Sequence, residues 1–370
     1  MSKESKGLLL FTDFHAHIWQ EFAKPDKDYV TDRFHNQINA LNYMLDYATD
    51  NNLDVLFAGD MFHKRGAVDT RVFNAVFTCF ANHKKINQIY LISGNHDMVN
   101  NRLEAPSSLN SFKVLKNVKV INGAESFETN QAYFYLLSYG EDTDTILDLL
   151  KEAKKTAKKY PDKPKIFSSH LGINGAKQGA TTHRLASTFS AKDVSPEVFN
   201  LVYLGHYHER QEIYNDKDGY VYQRDDNDVP DELTFDHEAL YGGSTLPVSF
   251  SDENQIKGFD VVTYTLPMKR TFHAIKAPKF VTLNKWNDKL AEQYKDDYVR
   301  LQLPPTTAKK VAKAEIDNTS VRVESKAKYE VKTRLPIEAK DSPVEVTKKY
   351  MDKLYPDQKQ DALDVIGKVL

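Results

Sequence analysis

Short clusters of histidine, aspartate and asparagine stand directly after apolar runs in this sequence. The run Ile89-Tyr90-Leu91-Ile92 has the character of a buried strand and leads into Ser93-Gly94-Asn95-His96-Asp97. Four further apolar runs end in the same way, at Asp13-Phe14-His15, Gly59-Asp60-Met61-Phe62-His63, Ser169-His170 and Gly205-His206-Tyr207-His208. The pattern predicts a metal site that is assembled from many loops on one edge of a sheet.

The residue types define the chemistry of such a site. Aspartate, asparagine and histidine offer oxygen and nitrogen donors, which suit Mn²⁺, Fe²⁺ or Zn²⁺ better than Ca²⁺. Asp13 and His15 have i, i+2 spacing, which places both side chains on one side of an extended strand end. Gly59 permits a sharp turn before Asp60. A carboxylate in that position can bridge two cations about 3.5–4 Å apart, the spacing of two-metal hydrolases.

The histidines divide into two sets. Six of the twelve stand at predicted strand ends beside Asp, Asn or Gly, namely His15, His63, His96, His170, His206 and His208. Five lack such neighbours and are interpreted as structural, namely His35, His83, His183, His237 and His273. His17 stands near the site and is interpreted as a wall residue or substrate contact rather than a ligand.

Bulk composition limits the functional classes. The chain has 370 residues and a formal net charge of −2, so it has room for a large domain and a smaller one but is not basic throughout. Any nucleic-acid surface must therefore be local. Cys79 is the only cysteine, which excludes a disulfide framework. The first apolar run is too short for a signal peptide or membrane span. We expect a soluble cytoplasmic protein (host cytoplasm if phage-encoded) with no membrane partner.

The elements that position these residues follow from periodicity. Predicted strands alternate with amphipathic helices over the first hundred residues, which implies a mostly parallel sheet covered by helices. Further strands are predicted near 118–121, 132–137, 166–170, 201–206 and 259–264. The acidic stretch 215–238 is predicted to be an extended hairpin or a loop. From about residue 276 the pattern changes to a small α+β module. Ser342-Pro343-Val344-Glu345 then begins two predicted helices, near 343–354 and 357–370.

The motifs D-x-H, G-D, G-N-H-D/E, H and G-H-x-H occur here in that order, and together they resemble the calcineurin-like metallophosphoesterase superfamily. The resemblance implies an α/β (α+β) fold with a two-sheet sandwich flanked by helices. It implies that one metal is held by Asp13, His15, Asp60 and His208. It implies that the other is held by Asp60, Asn95, His170 and His206. His96 then resembles the catalytic histidine that contacts the scissile phosphate.

A narrower resemblance concerns the SbcD-like DNA repair nucleases. His63 resembles their G-D-x-F-H form, whereas protein phosphatases carry G-D-x-x-D-R-G, and this implies a catalytic role for His63 beside His96. The segments 241–247 and Lys257-Gly258-Phe259 resemble the family's Y-x-G-S and K-G-F motifs. Ala16-His17 departs from the L-G that the family often has, which affects the substrate contacts of the first loop. The compact size suggests a phage-type member.

The narrower resemblance implies a domain layout and partners. A nuclease domain would span 1–275, a DNA-capping domain 276–336, and C-terminal helices 337–370 would bind an SMC-like ABC ATPase. The nuclease subunit is expected to form a homodimer. Five cations are expected to contact the DNA backbone, with a solvated charged face as the equally weighted alternative: Arg300, Lys309, Lys310, Lys313 and Arg322.

The implied activity is that of a two-metal DNA nuclease subunit in an SbcCD-type recombination and repair complex. It would act as an exonuclease, with endonuclease activity as a further option, through in-line attack by a metal-bridging hydroxide. Mn²⁺ is the expected metal, with Mg²⁺ as the alternative. Two other functions stay open: a phosphoesterase for small-molecule or protein phosphoesters, and a non-enzymatic scaffold.

Overall fold

The computed structural model of this protein describes residues 4–177, 189–213, 231–313, 320–325, 335 and 341–369. His183, the turn signal at 216–219 and most of the acidic stretch lie outside these residues. The chain divides into two compact units, Met1–Glu324 and Ser325–Leu370. The three-domain layout from the sequence stays a prediction.

The first sheet contains the strands that precede the first three motifs. Its strands are β1 (Gly7–Phe11), β2 (Asp54–Phe57), β3 (Ile89–Ile92), β4 (Val118–Ile121), β10 (Glu232–Phe235), β12 (Gly258–Thr263) and β13 (Met268–Ala274). The strand order is β10-β13-β12-β1-β2-β3-β4. Strands β1 to β4 are parallel, as the alternation with helices predicts, and β12 joins β1 antiparallel.

The second sheet contains the strands that precede the remaining motifs. Its strands are β5 (Ala124–Glu128), β6 (Tyr133–Leu137), β7 (Lys165–His170), β8 (Leu201–Gly205), β9 (Gln211–Glu212) and β11 (Glu238–Tyr241), in the order β5-β6-β7-β8-β11-β9. At the described end of the stretch 215–238 the chain forms strands, so the loop interpretation is wrong there, whereas the hairpin interpretation stays a prediction. There β10 pairs with β13 in one sheet and β11 pairs with β8 in the other, because Phe235 and Leu240 are apolar and reach the core between the sheets.

Both faces of the central strands are covered. Helices α1 (Asp32–Asn51) and α2 (Thr70–Asn82) pack on one face of the first sheet, and α3 (Thr143–Ala157) packs on the second sheet. Successive residues of β1 pack on opposite faces of the first sheet. Leu9 packs with the helices, and Leu10 packs between the two sheets. Strands covered on both faces read as continuous apolar runs. The predicted two-sheet sandwich flanked by helices is confirmed.

The remaining elements are smaller. A three-stranded sheet of β14 (Phe280–Leu283), β15 (Tyr298–Leu303) and β16 (Val321–Ser325) is accompanied by α4 (Asp288–Gln293) and α5 (Pro305–Lys313). In the second unit, α6 (Pro343–Leu354) begins at the predicted capping box and is followed by α7 (Lys359–Val369). Short 3-10 helices are Lys27–Tyr29, Ser108–Val114, Phe250–Asp252 and Pro356–Gln358. None of the helices in the described ranges combines the length and apolar character that crossing a membrane requires.

Candidate metal centre

The predicted ligands lie where strands of the two sheets end, and the loops that carry them meet. They follow β1, β2, β3 and β8 or close β7, and they are Asp13, His15, Asp60, Asn95, His170, His206 and His208. Hydrogen bonds cross from one sheet to the other. The backbone N–H of His206 donates to Oδ2 of Asp13 over 3.1 Å, and Nδ1 of His170 donates to the carbonyl of Ala58 over 2.8 Å. That second bond leaves Nε2 of His170 to face the site.

The first ligand group joins β1 to the loop after β8. Nε2 of His15 lies 3.0 Å from Nε2 of His208, and each of these nitrogens lies 3.9 Å from Oδ1 of Asp13. Nε2 of His15 also lies 3.7 Å from Oδ2 of Asp60. Donor atoms about 2.1 Å from one cation must lie about 3–4 Å from each other. Asp13, His15 and His208 therefore fit one cation, and Asp60 adjoins them through His15.

The second group shares a carboxylate with the first. Oδ2 of Asp60 lies 3.3 Å from Nε2 of His170. Oδ1 of Asn95 lies 3.1 Å from Nε2 of His170 and 3.1 Å from Nδ1 of His206. These separations again match donors around one cation. The same Asp60 oxygen takes part in both groups, which is the arrangement expected of a bridging ligand, and the mixed donors suit Mn²⁺, Fe²⁺ or Zn²⁺.

Several ligand residues adopt an uncommon backbone conformation. The φ angle is +49° at Asp13, +48° at His15, +64° at Asp60 and +101° at His206. Residues other than glycine rarely adopt a positive φ angle. Those that do concentrate at functional sites, where the surrounding structure holds the backbone in this conformation. The loops that carry Asp60 and Asn95 approach each other closely at Gly94. A Cβ atom added there would collide with the backbone nitrogen and Oδ1 of Asp60.

Asp97 holds the loops that carry Asp60 and Asn95. Its buried carboxylate accepts hydrogen bonds from the backbone N–H groups of Asp60 (2.9 Å), Met61 (3.3 Å), Phe62 (3.1 Å) and Gly94 (3.1 Å). The sequence places Asp97 in a motif but does not reveal this role, since three of these four donors come from the loop after another strand, β2. Asp97 thus supports the ligands without joining either group.

His96 and His63 lie side by side next to the two ligand groups. Nδ1 of His96 donates to the carbonyl of His63 over 2.5 Å, so Nε2 is the nitrogen left for other partners. Their rings are stacked, with centroids 5.7 Å apart. The His96 ring lies 4.9 Å from that of His15. Nitrogen atoms of His15, His63 and His96 also lie within 4.8 Å of one another. The structure therefore brings both predicted catalytic residues to the centre.

Burial keeps several imidazoles neutral. It lowers the pKa of His15 well below the usual range, lowers that of His206 to about 3, and lowers that of His63 to about 4. A neutral imidazole is the form that binds a cation. The two predicted ligands His15 and His206 could therefore bind a cation without first losing a proton.

The pKa values of the buried acids Asp13 and Asp60 and of His170 shift in different directions. Burial raises the pKa of Asp13. Burial alone would also raise the pKa of Asp60, but the His170 imidazole lowers it below its ordinary value. In return, the Asp60 carboxylate overcomes the effect of burial and raises the pKa of His170 to about 9. A cation between Asp60 and His170 would take the place of that proton.

Two site neighbours were missed at the sequence level. Gln37 is buried, and its Nε2 donates to the carbonyl of His15 over 3.2 Å while its Oε1 accepts from the N–H of His17 over 3.1 Å. The signal was present, because Gln37 is a polar residue on the apolar stripe of α1. The Tyr139 ring lies 5.7 Å from that of His206. Tyr139 follows β6 closely, as the predicted ligands follow their strands, and this position was the signal in the sequence.

The five lysine and arginine side chains that are predicted to contact DNA lie in different surroundings. Lys309 and Lys310 are exposed on α5, and the side chain of Lys313 lies outside the described residues. Arg300 donates to Oγ1 of Thr282 and lies over the ring of Phe250 at 4.0 Å. Arg322 pairs with Glu21 at 3.0 Å. Two of the five predicted contacts are thus engaged within the chain.

Three solved structures are similar to this chain, and none of the three shares more than 13% identity with it. A dimetal phosphatase from Danio rerio is 12% identical over 70% of this chain and 93% of its own (TM-score 0.42). A purple acid phosphatase from yellow lupin seeds is 13% identical over 71% and 50% (TM-score 0.39). An NAD nucleotidase from Haemophilus influenzae is 12% identical over 87% and 57% (TM-score 0.38). Alignments with TM-scores this low identify no substrate for this chain.

A comparison with curated proteins finds no significant match. The family comparison is informative, because residues 8–210 match the model for calcineurin-like phosphoesterases. That segment contains every predicted metal ligand and both predicted catalytic histidines. The match covers more than half of the chain, and the structure gathers Asp13 with His15 and His208, and Asp13 with Asp60 and His170, as groups that could hold metal ions. The chain therefore belongs to the calcineurin-like phosphoesterase family.

Proposed function

We propose that this chain is a two-metal phosphodiesterase whose substrate is DNA. The observation that carries the proposal is the stacked pair of His63 and His96 beside the shared Asp60 carboxylate. Asp13, His15, Asp60 and His208 would hold one cation. Asp60, Asn95, His170 and His206 would hold the other. When bound, two such cations lower the pKa of a water and neutralise charge on a phosphate.

The imidazole of His96 supplies the function that the ligands lack. Its Nδ1 is committed to the carbonyl of His63, and its backbone N–H donates to Oδ1 of Asp60 over 2.8 Å. The residue is therefore fixed at its ring and at its backbone. In the imidazolium form, which carries a proton on each ring nitrogen, Nε2 donates to a phosphate oxygen or to the leaving oxygen. A fixed donor aimed at developing charge lowers the barrier without reorganisation. We assign to His96 the stabilisation or protonation of the leaving oxygen.

The residues around His63 support a nucleic-acid substrate. The ring of Trp19 lies 4.4 Å from that of His63, and the ring of His17 lies 5.0 Å from that of Trp19. Together with His96 these rings form an aromatic wall beside the centre. Nucleobases stack on such rings with little dependence on sequence. A wall of this kind suits a substrate that carries bases next to the scissile phosphate.

Mn²⁺ is the cation that we propose for the centre. Each ligand group contains two imidazoles, and nitrogen donors favour the softer Mn²⁺ over Mg²⁺. The remaining donors are oxygens of Asp13, Asp60 and Asn95, which both ions accept. Activity should therefore be higher with Mn²⁺ than with Mg²⁺ at equal concentration.

A phosphoesterase for small molecules or phosphoproteins is the second candidate. It is supported by the engagement of Arg300 and Arg322 within the chain and by the net charge of −2, which leave fewer cations for a DNA backbone. The family as a whole is described as phosphoesterases, and this candidate lies fully within that description. The subunit role in a recombination and repair complex applies only to the first candidate.

One set of assays separates the candidates. Wild-type protein loaded with Mn²⁺ would be given an end-labelled DNA duplex, bis(p-nitrophenyl) phosphate and p-nitrophenyl phosphate, with Asp60→Asn as the inactive control. Higher kcat/KM on DNA than on the diester dye supports the nuclease. Hydrolysis of the small substrates with intact DNA supports the second candidate. No hydrolysis of any substrate by protein that carries two cations would contradict both and favour a scaffold.

A further inference from the structure

A buried lysine and a buried aspartate stand behind the metal-ligand candidate His208. Lys257 is 5% exposed and Asp252 is 3% exposed. Nζ of Lys257 donates to the backbone carbonyl of His208 over 2.7 Å, to Oδ1 of Asp252 over 2.9 Å, and to Oε1 of Gln255 over 2.5 Å. The ammonium group thereby uses all three of its donors and ties the His208 backbone to the Asp252 side chain.

Asp252 is fixed from its other side as well. Its Oδ2 accepts from the backbone N–H of Val248 over 2.9 Å and from that of Ser249 over 3.1 Å. Its Oδ1 lies 3.8 Å from Nδ1 of His208, within ion-pair distance. The opposite nitrogen of the same ring, Nε2, faces His15 at 3.0 Å. The His208 imidazole thus stands between the Asp252 carboxylate and the first ligand group.

Stability alone does not account for this pair. Taking a lysine and an aspartate out of water costs several kcal/mol per ion, and apolar residues of similar volume are often equally stable at such positions. Metal-binding histidines, by contrast, commonly direct their second ring nitrogen at a carboxylate, which orients the ring and raises its basicity. Oδ1 of Asp252 faces Nδ1 from 3.8 Å, which is beyond hydrogen-bond distance, so the carboxylate acts on the ring through its charge.

We propose that Asp252 and Lys257 are positioning residues for His208, and that they set the affinity of the cation that His208 binds. The inference rests on the proposed role of His208 as a metal ligand. Lys257 acts on the backbone of His208, and Asp252 acts on its ring. This gives a function to the Lys257-Gly258-Phe259 motif, which lies outside the five ligand motifs. Gln255 completes the shell around the ammonium group.

The test is a calorimetric titration of metal-free protein with MnCl₂. Wild type should bind two cations. Asp252→Asn should weaken one of the two steps by about 10- to 100-fold and leave the other unchanged. His208→Ala should weaken the same step. Since Asp252 acts through His208, the double variant H208A/D252N should bind no more weakly than H208A alone. A role in general stability would instead add to the effect of H208A.

The controls address folding. Lys257→Met alone would leave a buried carboxylate without its cation, so K257M is combined with D252N. Because Lys257 also positions the His208 backbone, the pair should bind the cation at least as weakly as D252N does, at a melting temperature that shows a folded protein. Asp54→Asn is the matched control, because Asp54 is a buried carboxylate that accepts from Ser5 (2.6 Å) and Tyr264 (2.9 Å) away from the centre. It should leave both binding steps unchanged.

Two results would overturn the inference while leaving the proposed function intact. One is wild-type Mn²⁺ affinity in folded D252N protein. The other is a D252N effect that adds fully to that of H208A. Failure of wild-type protein to bind two cations is distinguishable from these, since it would overturn the metal assignments and this inference together.

Discussion

The backbone N–H of His96 donates a hydrogen bond of 2.8 Å to Oδ1 of Asp60, while Oδ2 of the same carboxylate faces both ligand groups. One oxygen of Asp60 thus fixes the loop of the proposed catalytic histidine, and the other is available to cations. The His96 contribution comes from its backbone, so it persists when the His96 side chain is removed. Substitutions at Asp60 and His96 should therefore have different consequences.

Asp60→Asn should lose Mn²⁺ and activity together. The substitution removes the negative charge from the one side chain that both ligand groups share, and an amide nitrogen in place of Oδ2 cannot bind a cation. Metal content after gel filtration, measured by mass spectrometry, and hydrolysis of the diester dye should both fall at least 100-fold, since ligand charge is central to such sites. Two tightly bound cations in the variant would disprove the shared-ligand assignment.

His96→Ala should separate chemistry from binding. The backbone bond to Asp60 remains, so both cations and DNA affinity should be kept. Loss of the imidazole donor should lower kcat by about 10²–10⁴-fold. Turnover and metal content are measured on the same preparation. A joint loss of metal and thermal stability would show that His96 only braces its loop. Near-normal cleavage by fully metallated protein would exclude a catalytic role.

Removal of metal should destabilise the fold as well as stop hydrolysis. Cations bind the assembled ligands of the folded state, and ligand at 100 times its Kd adds about 2.7 kcal/mol to the free energy of unfolding. Wild-type protein should therefore melt at a lower temperature in EDTA than in Mn²⁺, as followed by circular dichroism. The melting temperature of Asp60→Asn should not respond to EDTA. An identical response in both proteins would argue that EDTA acts elsewhere.

Gly94→Ala should disrupt the centre although it changes no ligand. The added methyl group would collide with the backbone nitrogen and Oδ1 of Asp60. The loops after β2 and β3 would have to separate, which would displace Asp60 and Asn95. We expect weaker Mn²⁺ binding and a lower melting temperature. Gly367→Ala is the control, because Gly367 lies in α7 with open space around it. Equal metal affinity in both variants would refute the close-approach argument.

We propose an SMC-like ABC ATPase as the partner of the C-terminal helices, and deletion of 337–370 should abolish its binding and leave metal binding unchanged. Within the second unit, α6 and α7 expose Val344 (40%), Leu354 (50%) and Val365 (62%). An apolar helical face of this kind suits the apolar stripe of a coiled coil. Pull-down from the native source, followed by mass spectrometry, measures the partner. Val365→Asp is a milder version of the same test. Co-purification of the truncated chain with the ATPase would contradict the prediction.

The sequence by itself determined the sandwich and the members of the centre. Strands that are covered on both faces are largely apolar, so β1, β2, β3 and β8 stand out as nearly continuous runs, and β7 contributes the shorter run Ile166-Phe167. The polar residue after such a run must lie at a sheet edge, and the types Asp, Asn and His then indicate metal chemistry. All seven predicted ligands and both predicted catalytic histidines lie together in the structure for this reason.

Only the tertiary structure decided which atoms face each other. That Oδ2 of Asp60 takes part in both ligand groups depends on the packing of the two sheets, which local sequence does not encode. The support of His208 by Asp252 and Lys257 depends on a contact between residues distant in the chain. Arg300 and Arg322 look like free cations in the sequence, yet Thr282 and Glu21 engage them once the chain folds. Charge patterns report composition, whereas contact partners are set by long-range packing.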